Sequence, residues 1–312
     1  MTITNVVTGG AGFIGSHLCD YLLSKNERVI AVDNLGSGNR KNIAHLMSRS
    51  DFQFIEHDIR NPLKIDGHVD RVYNMASRAS PADFVSHAVE IMMTNSLGTY
   101  NTIQFALEKK ARFLMASTSE SYGDPEVSPQ PETYWGHVNP VGPRSCYDES
   151  KRFSESLTMT FIRNNGLDGR IIRIFNTYGP RMRLDDGRIV PNFVTQALSE
   201  KPMTVYGDGS QTRSFCYVSD LVRGIYLMMQ NDVRGEVVNL GNPVEMTVLE
   251  FAEKIKSATG SSSEIVFRPL PENDPMQRKP DISKAKKLLN WEPVVSLDEG
   301  LKMTIDWFRQ EL

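Results

Sequence analysis

Tyr147 and Lys151 stand four residues apart at the start of a segment predicted to be helical, so a phenol and an ammonium share one helix face. A free phenol has a pKa of about 10, and a neighbouring positive charge favours its ionised form. That pairing is the make-up of a general base. The spacing alone decides nothing, because Tyr21 and Lys25 repeat it in the first helical segment, where a packed ring and a solvated ammonium are the plainer reading. What sets Tyr147 apart is the strand before it, which runs to Ser117-Thr118-Ser119-Glu120 and brings hydroxyls and a carboxylate towards the same point.

A second constellation lies near the start. Val6-Val7-Thr8 leads into a turn in which Gly9, Gly12 and Gly15 follow the spacing G-x-x-G-x-x-G, and an amphipathic segment comes next. Glycines of this kind let the backbone bend tightly and approach a pyrophosphate, and the following helix aims its free N–H groups at that anion. A second strand, Arg28 to Val32, ends in Asp33. An acidic residue there accepts the ribose hydroxyls of an adenosine and repels a 2′-phosphate, which favours NAD over NADP. Arg40, a few residues on, leaves NADP open.

These residues need elements to position them. Strands are predicted at 3–8, 28–33, 52–56, 71–76, 112–118 and 170–175, and helices at 13–25, 40–48, 88–109 and 147–165. Such alternation predicts an α/β fold, a doubly wound parallel (Rossmann) sheet with right-handed crossovers. Its ligands bind beyond the carboxyl ends of the strands, where Gly9 to Gly12, Asp33, Asp58, Ala76-Ser77, Thr118 and Asn176 fall. After Pro180 the texture changes to an arginine-dense loop, short elements, a strand near 237–241 and helices near 247–258, 283–289 and 297–310. The expected division is a cofactor-binding domain over 1–178, rejoined by parts of 214–245, and a smaller C-terminal substrate-binding lobe over 179–312.

Composition narrows the class. A chain of 312 residues with 40% hydrophobic and 23% charged residues is ordinary for a globular protein of about two domains. A net charge of −3 disfavours a general nucleic-acid or membrane-surface role. Cys19, Cys146 and Cys216 are an odd, widely spaced set, which points to a reducing, cytoplasmic compartment and no metal site. The first apolar run starts almost at Met1 and belongs to the cofactor strand, which is expected to leave no room for a signal peptide. No run of about 18 apolar residues is present to span a membrane.

The glycine turn, Asp33, Thr118 and Tyr147-x-x-x-Lys151 resemble the extended short-chain dehydrogenase/reductases that remodel nucleotide sugars, the NAD-dependent epimerase/dehydratase family, as does Phe215-Cys216-Tyr217-Val218-Ser219-Asp220. Thr118 to Pro125, Tyr134 to Pro140, Cys146-Tyr147-Asp148-Glu149, Arg173 to Met182 and Arg278 to Ile282 are similar, more narrowly, to the UDP-glucuronate decarboxylase family. The resemblance covers nearly the whole chain. It implies that Tyr147 takes the proton of the sugar 4-hydroxyl, that Thr118 bonds the same oxygen, and that Lys151 holds the ribose and lowers the phenol pKa. It implies that Glu120 and Arg278 serve the loss of CO₂, with a raised pKa expected at Glu120 beside a carboxylate substrate. The implied cofactor contacts are Gly9, Gly12, Phe13, Ile14, Gly15, Asp33, Asn34, Gly38, Asp58, Ile59, Ala76, Ser77, Thr94, Tyr147, Lys151, Thr177 and Arg188. Substrate contacts are expected at Arg78, Ser119, Glu120, Asn176, Val190, Tyr206, Arg213 and Arg278. Of the arginines at 181, 183, 188 and 213, Arg183 and Arg188 are expected near the NAD pyrophosphate and Arg213 near that of UDP, with at least one of the four a surface charge. Trp135 and His137 are expected to shape a loop.

Asp58-Ile59-Arg60 replaces a stretch that is more apolar in that family, and two single positions depart from it as well. Arg78 stands where proline is usual, and Met93 where lysine is usual. The opposite charge changes raise the expectation that Arg78 takes over the sugar carboxylate. A 4-epimerase would share Thr118, Tyr147 and Lys151 without needing Glu120 or Arg278. A 4,6-dehydratase wants an Asp-Glu pair after the threonine, where Ser119 stands. A non-catalytic NAD-binding regulatory protein has no need to keep the tyrosine and lysine, and both are present. Helices 88–109 and 147–165 carry apolar residues at mixed phases, such as Leu97, Ile103, Phe105, Leu157 and Phe161, which raises the expectation of a homodimer through a four-helix bundle.

Overall fold

The computed structural model describes residues 2–270 and 275–312. Strand β1 (Thr4–Thr8) is buried along its whole length, as a central strand covered on both faces must be. It leads through the glycine turn into helix α1 (Phe13–Ser24), then β2 (Arg28–Asp33), β3 (Phe52–Glu56) and β4 (Arg71–Asn74). Helices α2 (Asp83–Ser86), α3 (Ala88–Met93) and α4 (Thr99–Lys109) precede β5 (Arg112–Thr118), and α5 (Ser145–Asn164) precedes β6 (Gly169–Ile174). With the strand Val237–Leu240 they form one seven-stranded sheet in the order Val237–Leu240, β6, β5, β4, β1, β2, β3. Every pairing in it is parallel. The order reverses direction between β1 and β4, and a crevice opens there at the strand ends.

Two apolar layers cover the sheet. On one face α4 and α5 bury Ile103, Phe105 and Ile162 against Val6, Val72 and Phe113. On the other, α1 buries Leu18 and Leu22, and it packs on α7 (Val218–Gln230). Helix α6 (Ile189–Leu198) comes between β6 and α7, and the C-terminal lobe adds α8 (Val248–Thr259), α9 (Ser283–Leu289) and α10 (Leu297–Glu311). Helices α8 and α10 each open on a capping box, Thr247 with Glu250 and Ser296 with Glu299, which satisfies N–H groups the helix start leaves unpaired.

Some expected elements differ in detail. The strand expected over 71–76 stops at Asn74, because the buried Thr8 hydroxyl accepts the N–H groups of Met75 and Ala76 at 3.1 and 3.2 Å and ends the ladder. The helix expected over 40–48 is a 3₁₀ helix over 40–46. The helix expected over 88–109 is interrupted by a π turn, Thr94–Gly98. A Cβ on Gly98 would lie 2.8 Å from Ile59, so the turn sits tightly against the segment after β3. Helices α6 and α7 were not expected. Pro191 lies in the first turn of α6, where a proline costs no helical hydrogen bond. In α7 the buried Val218, Leu221, Val222, Ile225, Met228 and Met229 carry the 3.6-residue period that would have revealed it.

Candidate active site

A cleft of about 1140 Å³ runs along the carboxyl ends of the strands and is closed on one side by the C-terminal lobe. Every residue named above as a cofactor or substrate contact borders it. At its β1 end, Gly9 has φ +69°, a backbone state that glycine adopts without strain. A Cβ on Gly15 would lie 2.0 Å from the Gly9 carbonyl oxygen, so the turn and the helix can meet only without a side chain there. The first hydrogen bond of α1 runs from Ser16 N to Gly12 O at 3.0 Å, and Gly12 has no side chain to cap the helix. The N–H groups of Phe13, Ile14 and Gly15 are therefore left for an anion in the cleft. Gly15→Val is expected to remove NAD binding and to lower stability by about 1–3 kcal/mol through overpacking. Calorimetric titration with NAD and thermal melting check both.

At the tip of β2, Asp33 accepts the N–H groups of Ala11 at 3.0 Å and Leu35 at 2.8 Å. Its burial raises the carboxyl pKa against those two bonds. Asn34 donates to Asp58 at 3.0 Å, and Asp58 is held far below the usual carboxylate range, first by hydrogen bonds from Arg60. This end of the cleft fits a dinucleotide: free N–H groups for its pyrophosphate, a fixed carboxylate for a ribose, and glycines where side chains would intrude.

The chemistry-bearing residues gather further along. Thr118 closes β5, and its Oγ1 accepts the Glu120 N–H at 3.2 Å. Tyr147 and Lys151 rise from the first turns of α5, both buried. The Phe84 ring stacks on Tyr147 with centroids 5.3 Å apart. Burial pushes the Tyr147 phenol up, with Thr118 beside it pulling the other way. Lys151 donates to the Ala116 carbonyl at 2.9 Å and lies 5.9 Å from the centre of the Tyr147 ring. Burial lowers its ammonium to about 7, opposed by Glu155. The expected lowering of the phenol pKa rests on Lys151 together with the positive nicotinamide of bound NAD; in the protein by itself burial is the largest influence and holds the phenol up.

Glu120 differs from expectation as well. Burial draws its carboxyl up, but Arg278 and then Arg144 outweigh it and hold it down to about 2. Arg278, 1% exposed, donates to the Ser119 carbonyl at 2.7 Å and to Glu120 at 3.1 Å, and Arg144 donates to Glu120 at 2.6 Å. Two guanidiniums answer one carboxylate, so Glu120 is ionised and a net positive charge faces the cleft. Arg213, on the strand Thr212–Ser214, adds a weaker pull on Glu120 and so belongs to this end, and Asn176, Val190 and Tyr206 also line the cleft.

The remaining arginines separate. Arg188 precedes α6 and pairs with buried Asp186 at 2.6 Å while its charge reaches Tyr147. Arg183 bridges Asp83 and Asp185, and Arg181 is held by Asp20 on α1 at 2.7 Å. Arg78 borders the cleft at its cofactor end, where a Cβ on Gly36 would lie 3.0 Å from the guanidinium. It pairs with Glu90 at 3.1 Å and Asp83 at 3.6 Å, and Met93 is exposed outside the cleft. The expected exchange of a sugar-binding cation from 93 to 78 finds no support in this arrangement, because Glu90 and Asp83 already answer the Arg78 charge. Trp135 is 88% exposed, on a loop tied to α5 by Arg152. Residues that sequence reasoning missed are Arg144, Asp148, Asp186 and, from α10, Trp307. An arginine three residues before the catalytic-type tyrosine was a legible signal for Arg144; Trp307 gave none.

The sequence pattern of the GDP-mannose 4,6 dehydratase family matches residues 6–304. The chain is 53% identical to UDP-glucuronic acid decarboxylase 1 of Arabidopsis thaliana over 98% of its own length and 70% of the relative's. This chain belongs to the UDP-glucuronic acid decarboxylase family. Decarboxylase 1 of Danio rerio is 51% identical over 98% of this chain and 73% of that protein. Among solved structures, the UDP-glucuronic acid 4-epimerase of Bacillus cereus, in complex with UDP-glucuronic acid and NAD, superposes with a TM-score of 0.89 at 31% identity, covering 99% of this chain and all (100%) of that one. The dTDP-glucose 4,6-dehydratase of Streptomyces venezuelae with NAD bound gives a TM-score of 0.90 at 30% identity, covering 99% and 97%. The fold is thus common to epimerases, dehydratases and decarboxylases, so the fold by itself does not choose among these reactions.

Proposed function

We propose that this protein converts UDP-glucuronate to UDP-xylose and CO₂ with NAD, through a 4-keto sugar. The observation that carries this reading is the buried Arg278, reaching from the C-terminal lobe to Ser119 and Glu120 two residues from Thr118. A 4-epimerase of a neutral UDP-hexose has no use for a positive pocket there, and a UDP-glucuronate 4-epimerase is separated by its product in the test below. When bound, NAD accepts the carbon-4 hydride, returns it at the end, and brings a positive nicotinamide beside the phenol. Gly9 to Gly15 and Asp33 would hold it, and Lys151 its ribose.

Tyr147 takes the proton of the 4-hydroxyl while Thr118 bonds the same oxygen. The ketone so formed is β to the carboxylate, and the C5–C6 electron pair flows into it as CO₂ leaves. Arg278, itself held in place by Glu120, orients the carboxylate for that step. Tyr147 finally returns its proton to the 4-oxygen. The test is one incubation with UDP-glucuronate and NAD. CO₂ and a UDP-pentose are expected in equal amounts; UDP-galacturonate with no CO₂ means an epimerase, and NAD binding with no turnover means a regulatory protein.

The finer readings go with this one. We take 1–178 as the NAD-holding domain, rejoined by parts of 214–245, and 179–312 as the sugar-holding lobe. Among the described residues no helix is long and apolar enough to cross a membrane, and the three cysteines are free and buried, which supports a reducing compartment such as the cytoplasm. Met92, Leu97, Tyr100 and Phe153 leave apolar surface exposed along α3 to α5, which supports a homodimer through a four-helix bundle.

A further inference from the structure

A second cavity, of about 440 Å³, lies behind Glu120. It shares Glu120, Arg144 and Pro275 with the main cleft and reaches the surface past the exposed Asp124, His137 and Pro140. On its inner wall stands Asp148, 6% exposed, which does not border the main cleft. Its Oδ1 is buried with no hydrogen-bond partner, and its Oδ2 lies 3.9 Å from Arg144 Nε. A buried carboxyl oxygen left without a partner is costly unless water reaches it or it carries a proton.

We propose that Asp148, through this side cavity, stores and delivers the solvent proton that replaces CO₂ at carbon 5. The inference rests on the decarboxylase reading above and follows from its proton balance. When the C5–C6 bond breaks, its electron pair moves into the C4 carbonyl and leaves an enolate. Those electrons then return to carbon 5 and form a bond to H⁺, so each turnover consumes one proton. Tyr147 cannot supply it, because the proton taken from the 4-hydroxyl goes back to the 4-oxygen. Glu120 is held ionised by two guanidiniums. Asp148 gives up its proton through water at the Glu120 boundary and regains one from solvent through the cavity.

The groups facing Asp148 are Glu120 from the turn after β5, Arg144 and Glu149 from the start of α5, and Arg278 from the C-terminal lobe. Burial, then the Glu120 charge, push its carboxyl up to about 7, with the arginines opposing. It therefore holds its proton over much of the range below neutrality, and CO₂ release that depends on it falls as pH rises through that value.

The test is Asp148→Asn in the full-length enzyme loaded with NAD. The variant is expected to melt no lower than wild type above neutral pH, since no buried charge remains. In a single turnover the absorbance of reduced nicotinamide should rise as in wild type and decay at least about tenfold more slowly, in line with loss of a proton donor. The fall in kcat through neutral pH should disappear, and Asp148→Glu should restore part of it. If the Asn variant does not fold, Pro140→Phe, which fills the cavity from its rim, should give the same slow decay. Wild-type decay with the wild-type pH profile in either folded variant overturns the proposal. Absence of CO₂ from the wild-type enzyme instead overturns the decarboxylase reading itself, and the proposal with it.

Discussion

Tyr147→Phe is expected to reduce CO₂ release from UDP-glucuronate by about 10²–10⁴-fold, the range a positioned acid-base group contributes. The substitution removes one oxygen and keeps the ring that stacks on Phe84, so the fold and NAD binding should persist. No other group can replace it. Thr118 is a hydroxyl that already accepts the Glu120 N–H, and Lys151 is bonded to the Ala116 carbonyl. Because β-keto acid chemistry requires the ketone first, the loss appears in CO₂ release as well as in hydride transfer. Labelled CO₂ from the sugar carboxylate is the measurement, and an unchanged rate would refute the mechanism at its first step.

Arg278→Ala is the second large effect. It removes a guanidinium that is almost wholly buried, leaving the Ser119 carbonyl without that donor and Glu120 with one of its two positive partners gone. Breaking one side of a buried pair costs about 3–5 kcal/mol when nothing compensates. Arg144 still holds Glu120 at 2.6 Å, so the loss should fall towards the lower end. The Glu120 pKa moves up, because the Arg278 charge is one of the pulls holding it down. The variant is therefore expected to show its full loss of stability at neutral pH and above, a deficit that shrinks as pH falls through the carboxylate range. A carboxyl with a depressed folded-state pKa stabilises the fold above its unfolded pKa of about 4.3, and that contribution is lost as pH falls. Wild type keeps Glu120 charged to lower pH than the variant does. Decarboxylation should fall by at least about 100-fold, the cost of a misoriented reactant. Melting curves across the acid range and CO₂ release together separate the structural effect from the chemical one.

Much of the frame was legible because it is written in local spacing. A glycine every third residue between a strand and a helix records a turn that a Cβ would block, as Gly15 does against Gly9. Tyr147 and Lys151 record one helix face. The strands 28–33, 52–56 and 112–118 fall at the positions their apolar runs mark. The C-terminal lobe was harder to read. Its strands are two to four residues long and pair across large sequence gaps, as Met203–Tyr206 does with Ile265–Arg268, so no period has room to develop. Asp220 is an instance from a family motif: it accepts the N–H groups of Val294 and Val295 at 2.9 and 2.8 Å and pins the loop before α10, a tie between residues more than seventy apart.

The sequence by itself determined which functional groups exist and, through turn and helix geometry, which near neighbours share a face. Only the tertiary structure decided their charge states. Glu120 looked like an acid awaiting a proton until packing set Arg278 and Arg144 against it, whereas Asp148, unremarked beside Tyr147, was left with a buried oxygen and no partner. The reason is physical. A side chain's ionisation depends on how much water and which charges lie within a few ångströms, and here those neighbours come from positions as far apart as 120 and 278, a separation no local pattern encodes.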